Sequence, residues 1–194
     1  MSKPIFNILI CTLEEREEQL KHLRSALYAQ ILQEGLQGKV GIHTLCDNRE
    51  RTTGAKRHLL LQESDADFSA FVDDDDRVSD TYVRDVVQAI KAHPVDVVGF
   101  FGEVIFHGGE SRKMVHSLAC LDWTEDSMAY YRPPNHLNPV RTELARMVSY
   151  PDLTISEDHH WSLGLKELGV LQREVFLGTK PLYYYICKSQ VKGL

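Results

Sequence analysis

The chain has 194 residues, of which 43% are hydrophobic and 26% are charged, a composition typical of a single globular domain. Its net charge of −6 gives no overall basic signature for nucleic-acid binding. No segment reaches the roughly 20 apolar residues that a membrane span needs, and the N-terminus lacks the apolar stretch of a signal peptide. The four cysteines form no Cys-x-x-Cys pair, which indicates free, buried thiols. We therefore expect one domain over residues 1–194, located in the cytoplasm.

The first hundred residues alternate strands and helices. Four short apolar runs predict strands, at Ile5–Cys11, Val40–Leu45, Phe68–Val72 and Val95–Phe101. Helices are predicted between them: the first ends at Gly35 and Gly38, the second covers Gly54–Glu63 and the third has Ser79 as its N-cap. This alternation predicts an α/β fold, with a Rossmann-like, doubly wound sheet in residues 1–101.

Residues 102–194 show a different pattern. Three shorter strands are predicted to be antiparallel, at Glu103–Phe106, Lys113–Cys120 and Ser127–Tyr131. Two short helices at Thr142–Val148 and Glu157–Leu168 follow, and an aromatic strand at Leu182–Cys187 closes the chain. The sheet is therefore expected to be mixed.

Four consecutive aspartates, Asp73 to Asp76, follow the predicted strand Phe68–Val72. Ligands of open α/β sheets bind beyond the carboxyl ends of the strands. Adjacent carboxylates repel one another, so the run is either a solvated turn or a site for a cation. In an extended chain Asp73 and Asp75 point to the same side, which suits one Mg²⁺ or Mn²⁺ ion shared with a substrate diphosphate.

The segment from Phe71 to Ser79 resembles the DxD segment of family 2-like GT-A glycosyltransferases. The resemblance implies the GT-A fold, with a nucleotide-binding half at 1–101 and a smaller antiparallel acceptor half at 102–194. It also implies that Asp73 contacts the nucleotide and that Asp73 and Asp75 hold the metal. Asp74 is a further candidate for the nucleotide site, although Asp74 and Asp76 are the positions that we expect to tolerate substitution best.

Further nucleotide-site residues are implied at the ends of the first strands. Thr12 and Arg16 occupy the place that flanks the base, and Asp47 the place that reads a uracil edge. Gly54 and Arg57 match a helix-opening motif in which the glycine permits close approach of the ligand and the arginine neutralises diphosphate. Taken alone, Thr12 could equally be a strand-end hydroxyl and Asp47 part of a turn.

The acceptor half carries a second motif. Glu157-Asp158 resembles the family's Glu-Asp pair, which implies that Asp158 is the catalytic base and that Glu157 orients the acceptor. Acidic residues in the first turn, after Ser156 as the N-cap, would also stabilise the helix by themselves. His136 is either a contact to the sugar or a phosphate or a buried structural histidine, and Lys188 is a candidate contact to the diphosphate.

The sequence thus predicts a metal-dependent glycosyltransferase that moves a sugar from a nucleotide-diphosphate sugar, UDP-linked, to an acceptor hydroxyl with inversion. The acceptor is a glycan, a small molecule or a modified nucleic-acid base. Compact proteins of this kind occur in bacteria and phages, so the cytoplasm would be the host's if a phage encodes the chain. Three alternatives stay open: a sugar nucleotidyltransferase, a nuclease or phosphatase built from Asp73, Asp75, Glu103 and Glu157, or a non-catalytic binding module that retains the fold.

Overall fold

The computed structural model describes residues 3–187. Eleven strands lie in this part of the chain: β1 (Phe6–Leu13), β2 (Val40–Asp47), β3 (Phe68–Phe71), β4 (Arg77–Val78), β5 (Val97–Ile105), β6 (Ser111–His116), β7 (Thr124–Glu125), β8 (Ala129–Arg132), β9 (Val140–Arg141), β10 (Glu174–Leu177) and β11 (Tyr183–Ile186). The α-helices are α1 (Glu17–Gln33), α2 (Thr53–Glu63), α3 (Tyr82–Ala92), α4 (Thr142–Ala145) and α5 (Glu157–Leu168).

All the described strands belong to one mixed sheet. Its main path runs β2-β1-β3-β9-β5-β6-β8-β7, in which β1 is parallel to β2 and β3, and β9 is antiparallel to both β3 and β5. The long strand β5 also pairs in parallel with β10 near its start and with β11 near its end. The C-terminal part of the described chain therefore returns to the centre of the sheet, beside the acidic run.

Helices cover both faces of the sheet. In β1, Phe6 and Ile8 point to one face and pack with apolar residues of α1 and α3, whereas Leu9 points to the other face and packs with residues of α2 and α5 such as Leu61 and Trp161. This alternation follows from the period of two in a strand. It produces the doubly wound arrangement that the sequence predicts. Within residues 3–187 no helix combines the length and the apolar content that crossing a bilayer requires.

The predicted elements of residues 1–101 are confirmed, with small shifts at their ends. The second half differs in three respects. Glu103–Phe106 is not a separate strand but the end of β5. Strands β6 and β8 are parallel rather than antiparallel, and β7, β9 and β10 were not predicted. The predicted antiparallel character of this half is therefore only partly correct.

One of the two predicted helix caps is wrong, and the other is correct in position only. The cap position of α3 is Thr81 rather than Ser79, and Ser156, which does precede α5, has left-handed backbone angles (φ 67°) and makes no capping hydrogen bond with its side chain. The prediction of buried thiols is wrong for Cys46, which is exposed, and only partly correct for Cys11, Cys120 and Cys187, which are half-buried. None of the four forms a disulfide.

Candidate functional site

The carboxyl ends of β1, β2 and β3 meet at one edge of the sheet, and a cavity of about 680 Å³ lies there. Its wall comes from the end of β1, the loop before α2, the first turns of α2, the acidic run, Glu157 and Tyr185. Most of its lining residues are polar or charged: Thr12, Arg16, Arg49, Glu50, Arg51, Thr52, Thr53, Lys56, Arg57, Asp73, Asp74, Asp75, Thr154 and Glu157. We call this space the first cavity.

Thr12, Asp74 and Arg16 form one contact group at the end of β1. The Thr12 hydroxyl donates to Asp74 Oδ2 at 2.6 Å, and Arg16 Nη1 donates to Asp74 Oδ1 at 2.8 Å. Arg16 Nη1 also lies 3.5 Å from Asp75 Oδ2. Asp74 is only 3% exposed, so its carboxylate is a fixed part of the wall, and the expectation that it tolerates substitution well loses its basis.

Asp47, the last residue of β2, contacts its own chain with both oxygens. Oδ1 accepts from Lys56 Nζ at 2.8 Å, and Oδ2 accepts from the backbone amide of Arg51 at 3.1 Å. Burial would raise the pKa of Asp47, but Lys56 holds it below its ordinary value. Asp47 does not line the first cavity, so the structure gives it a role in fixing the loop before α2. Its contact with uracil stays a prediction.

Gly54 lies in the first turn of α2 and packs against the loop before α5. Its amide donates to the carbonyl of Leu153 at 2.8 Å. A Cβ atom at this position would lie 1.9 Å from the carbonyl oxygen of Pro151 and 3.1 Å from the Cβ of Glu157. The close approach that requires glycine within the described residues is therefore to this loop, and the predicted approach of a ligand to Gly54 stays a prediction.

Arg57 is 4% exposed and lies between the two acidic motifs. Its Nη2 donates to Asp73 Oδ1 at 2.9 Å, and its Nη1 lies 3.2 Å from Glu157 Oε1 without hydrogen-bond geometry. Among the described residues, Arg57 Nε and Nη1 have no hydrogen-bond acceptor although both atoms are buried. Because Arg57 also lines the first cavity, these two donors are available to a bound anion.

His136 connects the DxD segment with the Glu-Asp pair. Its Nε2 lies 3.3 Å from Asp73 Oδ2, and its Nδ1 lies 3.2 Å from Asp158 Oδ2. The side chain is 8% exposed, so both contacts are shielded from solvent. The chain thus brings Asp73 and Asp158, 85 positions apart in the numbering (158 − 73), to opposite sides of one imidazole ring.

The charges of this network determine the protonation of its carboxylates. Burial alone would raise the pKa of Asp73 and that of Asp158, but Arg57 and His136 hold the pKa of both below the ordinary value. Burial and Arg57 lower the pKa of His136, but the two aspartates outweigh them and raise it. Burial raises the pKa of Glu157 despite Arg57. Asp158 is therefore ionised at neutral pH, which is the state that a general base needs.

Asp76 anchors the last described strand. Its Oδ2 accepts from the Tyr183 hydroxyl at 2.7 Å, and its Oδ1 accepts from the amide of Ile186 at 2.7 Å. Burial and the charge of Asp73 raise the pKa of Asp76 to about 7. Asp76 is 5% exposed, so the expectation that it tolerates substitution well loses its basis too. No local sequence pattern indicates this role, because the two partners lie more than a hundred positions away.

A second cavity of about 370 Å³ adjoins the first and shares Asp73 and Tyr185 with it. Its polar wall comes from Asp73, His116, Arg132, Asn135, His136 and Asp158. The remaining wall is mostly apolar and aromatic, with Val104, Phe106, Met114, Trp123, Tyr130 and Leu137. The predicted base therefore faces a different cavity from Thr12, Arg16 and Arg57, whereas Asp73 lines both cavities.

The acidic run fits a divalent ion in part. Asp73 and Asp75 both line the first cavity, and Mg²⁺ usually needs only one or two carboxylates in addition to substrate phosphates. However, both Asp73 oxygens already contact Arg57 or His136. Among residues 3–187 no three histidine, cysteine or acidic side chains converge on one point. Asp75 in turn lies 3.5 Å from Arg16 Nη1, so each of the two predicted metal ligands already has a protein partner, and an ion at this place would also need phosphate oxygens of a substrate.

The structure brings most of the predicted residues together. Thr12, Arg16, Arg57, Asp73, Asp74, Asp75 and Glu157 line the first cavity, and Asp73, His136 and Asp158 line the second. Lys188 lies outside the described residues. Glu103, which the nuclease alternative needs, lines neither cavity and pairs along β5 with Lys113 and Tyr184. The contacts of Lys56 with Asp47 and of Tyr183 with Asp76 were not predicted, because no sequence motif links either pair.

A doubly wound sheet with a charged cavity at its carboxyl edge is typical of α/β proteins that bind a ligand at that edge. The model of the family described as "Glycosyl transferase family 2" matches residues 27–160. The chain belongs to this family, and its membership places the chain among the glycosyltransferases, with the GT-A fold that the sequence predicts.

Solved structures of S. aureus TarS are similar to the chain. The complex of TarS 1-349 with UDP-GlcNAc has a TM-score of 0.66 at 18% identity, over 96% of this chain and 59% of that chain. The complex with UDP gives 0.65 at 18% identity, over 94% and 60%. This chain thus spans about 60% of the length of those structures, and the likeness concerns the fold. None of the curated proteins compared with the chain matches it.

Proposed function

We propose that this chain transfers a sugar from a UDP-linked sugar to an acceptor hydroxyl, with inversion at the anomeric carbon. The observation that carries the proposal is the His136 contact to both Asp73 and Asp158, at 3.3 and 3.2 Å. One imidazole separates the aspartate of the donor motif from the aspartate of the base motif. A donor bound beside Asp73 therefore has its reacting carbon within reach of a proton acceptor.

The first cavity suits a nucleoside diphosphate. Its volume of about 680 Å³ lies within the range of small-molecule sites, and two buried donors of Arg57 have no acceptor among the described residues. TarS, the structural relative, is described in complexes with UDP and UDP-GlcNAc. In our proposal Thr12, Arg16 and Asp74 lie along the base and ribose, and Arg57 faces the diphosphate.

The transfer step needs one proton acceptor. Asp158 takes the proton of the acceptor hydroxyl while its oxygen attacks the anomeric carbon, and the bond from that carbon to the diphosphate oxygen breaks, with the electron pair leaving on UDP. The ionised state of Asp158 suits this role. Glu157, held beside Arg57, orients the helix terminus from which Asp158 projects. Attack from the face opposite the leaving diphosphate gives inversion.

A divalent ion, Mn²⁺ or Mg²⁺, belongs to the proposal, with Asp75 as its protein ligand and Asp73 beside it. When bound, it would neutralise charge that develops on the leaving diphosphate. Arg57, from the first turns of α2, would neutralise charge on the same diphosphate. A reducing compartment, the cytoplasm of a bacterium or of a phage host, agrees with the four free cysteines.

The variant Asp158→Asn tests the proposal. It removes the base but keeps the size of the side chain, so we expect transfer from UDP-GlcNAc to fall by about 10²–10⁴-fold. Donor affinity, measured by calorimetric titration with UDP-GlcNAc and Mn²⁺, should not change. Glu167→Gln, at an exposed position of the same helix, is the matched control. Transfer at the wild-type rate in Asp158→Asn would remove Asp158 from the mechanism.

A further inference from the structure

The second cavity is the place where an acceptor would meet the proposed base. It contains Asp158 and meets the first cavity at Asp73 and Tyr185. Its volume of about 370 Å³ exceeds what one sugar ring occupies but is far below that of a folded macromolecule. A ligand in this cavity is therefore a small group or the end of a longer chain.

Aromatic side chains dominate the part of the wall away from the carboxylates. Trp123 is half-buried and held in place: the His159 ring meets it edge-on at 4.9 Å, and the Arg132 guanidinium lies 4.9 Å from its centroid. Its Nε1 is buried and, among residues 3–187, has no hydrogen-bond acceptor. An aromatic face with an unused donor at its edge suits a ligand that is apolar on one face and carries hydroxyls at its rim.

The charges around the cavity disfavour a polyanion. Asp73 and Asp158 contribute carboxylates to its wall, and Arg132 is its one arginine or lysine among the described residues. Arg132 is already engaged, since its Nη1 donates to the carbonyl oxygens of Thr124 and Tyr131 and its guanidinium lies over Trp123 and Tyr130. Binding of nucleic acid depends on several cations along the phosphate backbone, and the whole chain has a net charge of −6.

We propose that the second cavity binds the acceptor as an uncharged pyranose ring that stacks on Trp123, with a hydroxyl directed to Asp158. The inference rests on the proposed function and narrows its acceptor to a carbohydrate. The C–H face of a pyranose matches the electron-rich face of an indole, and the ring hydroxyls match Trp123 Nε1 and the cavity carboxylates. Trp123 is then the residue that selects the acceptor, whereas the donor lies beyond Asp73.

Two titrations on the same variants test this inference. The first follows UDP-GlcNAc with Mn²⁺ by calorimetry. The second follows neutral disaccharides, cellobiose and chitobiose, and a short single-stranded DNA by saturation-transfer NMR, with UDP and Mn²⁺ present. The proteins are wild type, Trp123→Ala, Trp123→Phe, which keeps a ring, and Tyr28→Ala, which removes an exposed aromatic residue of α1 outside both cavities.

We expect a disaccharide to bind wild type and Tyr28→Ala, to bind Trp123→Phe with a smaller loss, and to bind Trp123→Ala about tenfold more weakly. UDP-GlcNAc should bind all four equally, which also shows that the variants are folded. Equal disaccharide binding by wild type and Trp123→Ala, no disaccharide binding by wild type, or binding of DNA alone would overturn the inference. Weaker UDP-GlcNAc binding by Trp123→Ala would also overturn it, because the cavity would then hold the donor sugar. Failure of wild type to bind UDP-GlcNAc is a separate result that contradicts the proposed function.

Discussion

The four aspartates of the acidic run have four different environments. Asp73 contacts Arg57 and His136, Asp74 closes the end of β1, Asp75 faces the first cavity beside Arg16, and Asp76 holds β11. The sequence predicts that the run is functional but does not distinguish its four aspartates. Their partners come from five other elements or loops, and only the fold brings these partners to one place. The position of an aspartate within this short motif therefore does not show whether its carboxylate can reach a ligand.

A substitution of Gly54 tests the close packing of α2 against the loop before α5. The variant Gly54→Ala places a methyl group 1.9 Å from the carbonyl oxygen of Pro151, so either α2 or the loop before α5 must move. We expect a loss of roughly 1–3 kcal/mol in the free energy of unfolding, measured with urea, together with reduced transfer because Glu157 moves. Gln62→Ala, at an exposed position of the same helix, should change neither. Wild-type stability of Gly54→Ala would contradict the packing described here.

His116 makes stability depend on pH. Burial lowers its pKa to about 4, and its ring stacks on Phe100 at 5.3 Å. His116 of the unfolded chain binds a proton near pH 6.5, whereas buried His116 stays neutral until lower pH. The contribution of neutral His116 to the free energy of unfolding is therefore fully present above pH 6.5 and is lost as the pH falls toward 4. His116→Gln should therefore show a flatter decline of unfolding free energy between about pH 6.5 and 4, by an amount on the order of a few kcal/mol.

Urea titrations at each pH measure this decline, with His93→Gln at an exposed position as the control. The control should follow the wild-type curve over the whole range. If the unfolding free energy of His116→Gln falls with pH as steeply as that of wild type, the buried neutral histidine is not the cause of the pH dependence.

At the level of elements, the sequence predicts the first half of the fold well and the second half less well. Strands β1 to β3 are apolar runs separated by predicted helices. The local pattern of apolar residues is therefore sufficient to predict these strands. Strand β9 has two residues and β10 has none buried, so neither has a recognisable pattern. The parallel pairing of β6 with β8 depends on the long excursion through residues 117–128, whose course no local rule gives.

Strand β11 gives a prediction at this scale. Both oxygens of Asp76 hold it, through Tyr183 and Ile186, and Tyr185 between these two lies in the wall of both cavities. Asp76→Ala leaves the buried Tyr183 hydroxyl and the Ile186 amide without this acceptor, a loss of about 1–3 kcal/mol per group. We expect faster hydrogen exchange in residues 183–186 and weaker donor binding.

Asp80→Ala, at an exposed position after the same run, is the control and should leave exchange in β11 unchanged. Protection of residues 183–186 at the wild-type level in Asp76→Ala would show that strand pairing with β5 alone holds β11.

At the level of the whole molecule, two cavities share one wall. The first is charged and lies at the carboxyl edge of the parallel strands, and the second is largely aromatic and lies over the mixed part of the sheet. Asp73 and Tyr185 belong to both, and His136 joins Asp73 to Asp158 across the boundary. Under the proposed function, this arrangement separates the donor from the acceptor while keeping Asp73 and Asp158 adjacent. The order of motifs along the sequence predicts a nucleotide-binding half and an acceptor half. It does not predict that the two cavities share Asp73 and Tyr185.

Hydrogen exchange with and without UDP-GlcNAc and Mn²⁺ tests the central claim most directly. If the first cavity is the donor site, the nucleotide sugar should slow exchange in the segments that form its wall, 11–16, 49–57 and 73–75, and leave the far ends of α1 and α3 unchanged. UDP should produce most of the same protection, because the diphosphate and base make the main contacts. Protection confined to other segments, or none with any nucleotide-diphosphate sugar at millimolar concentration, would contradict the account.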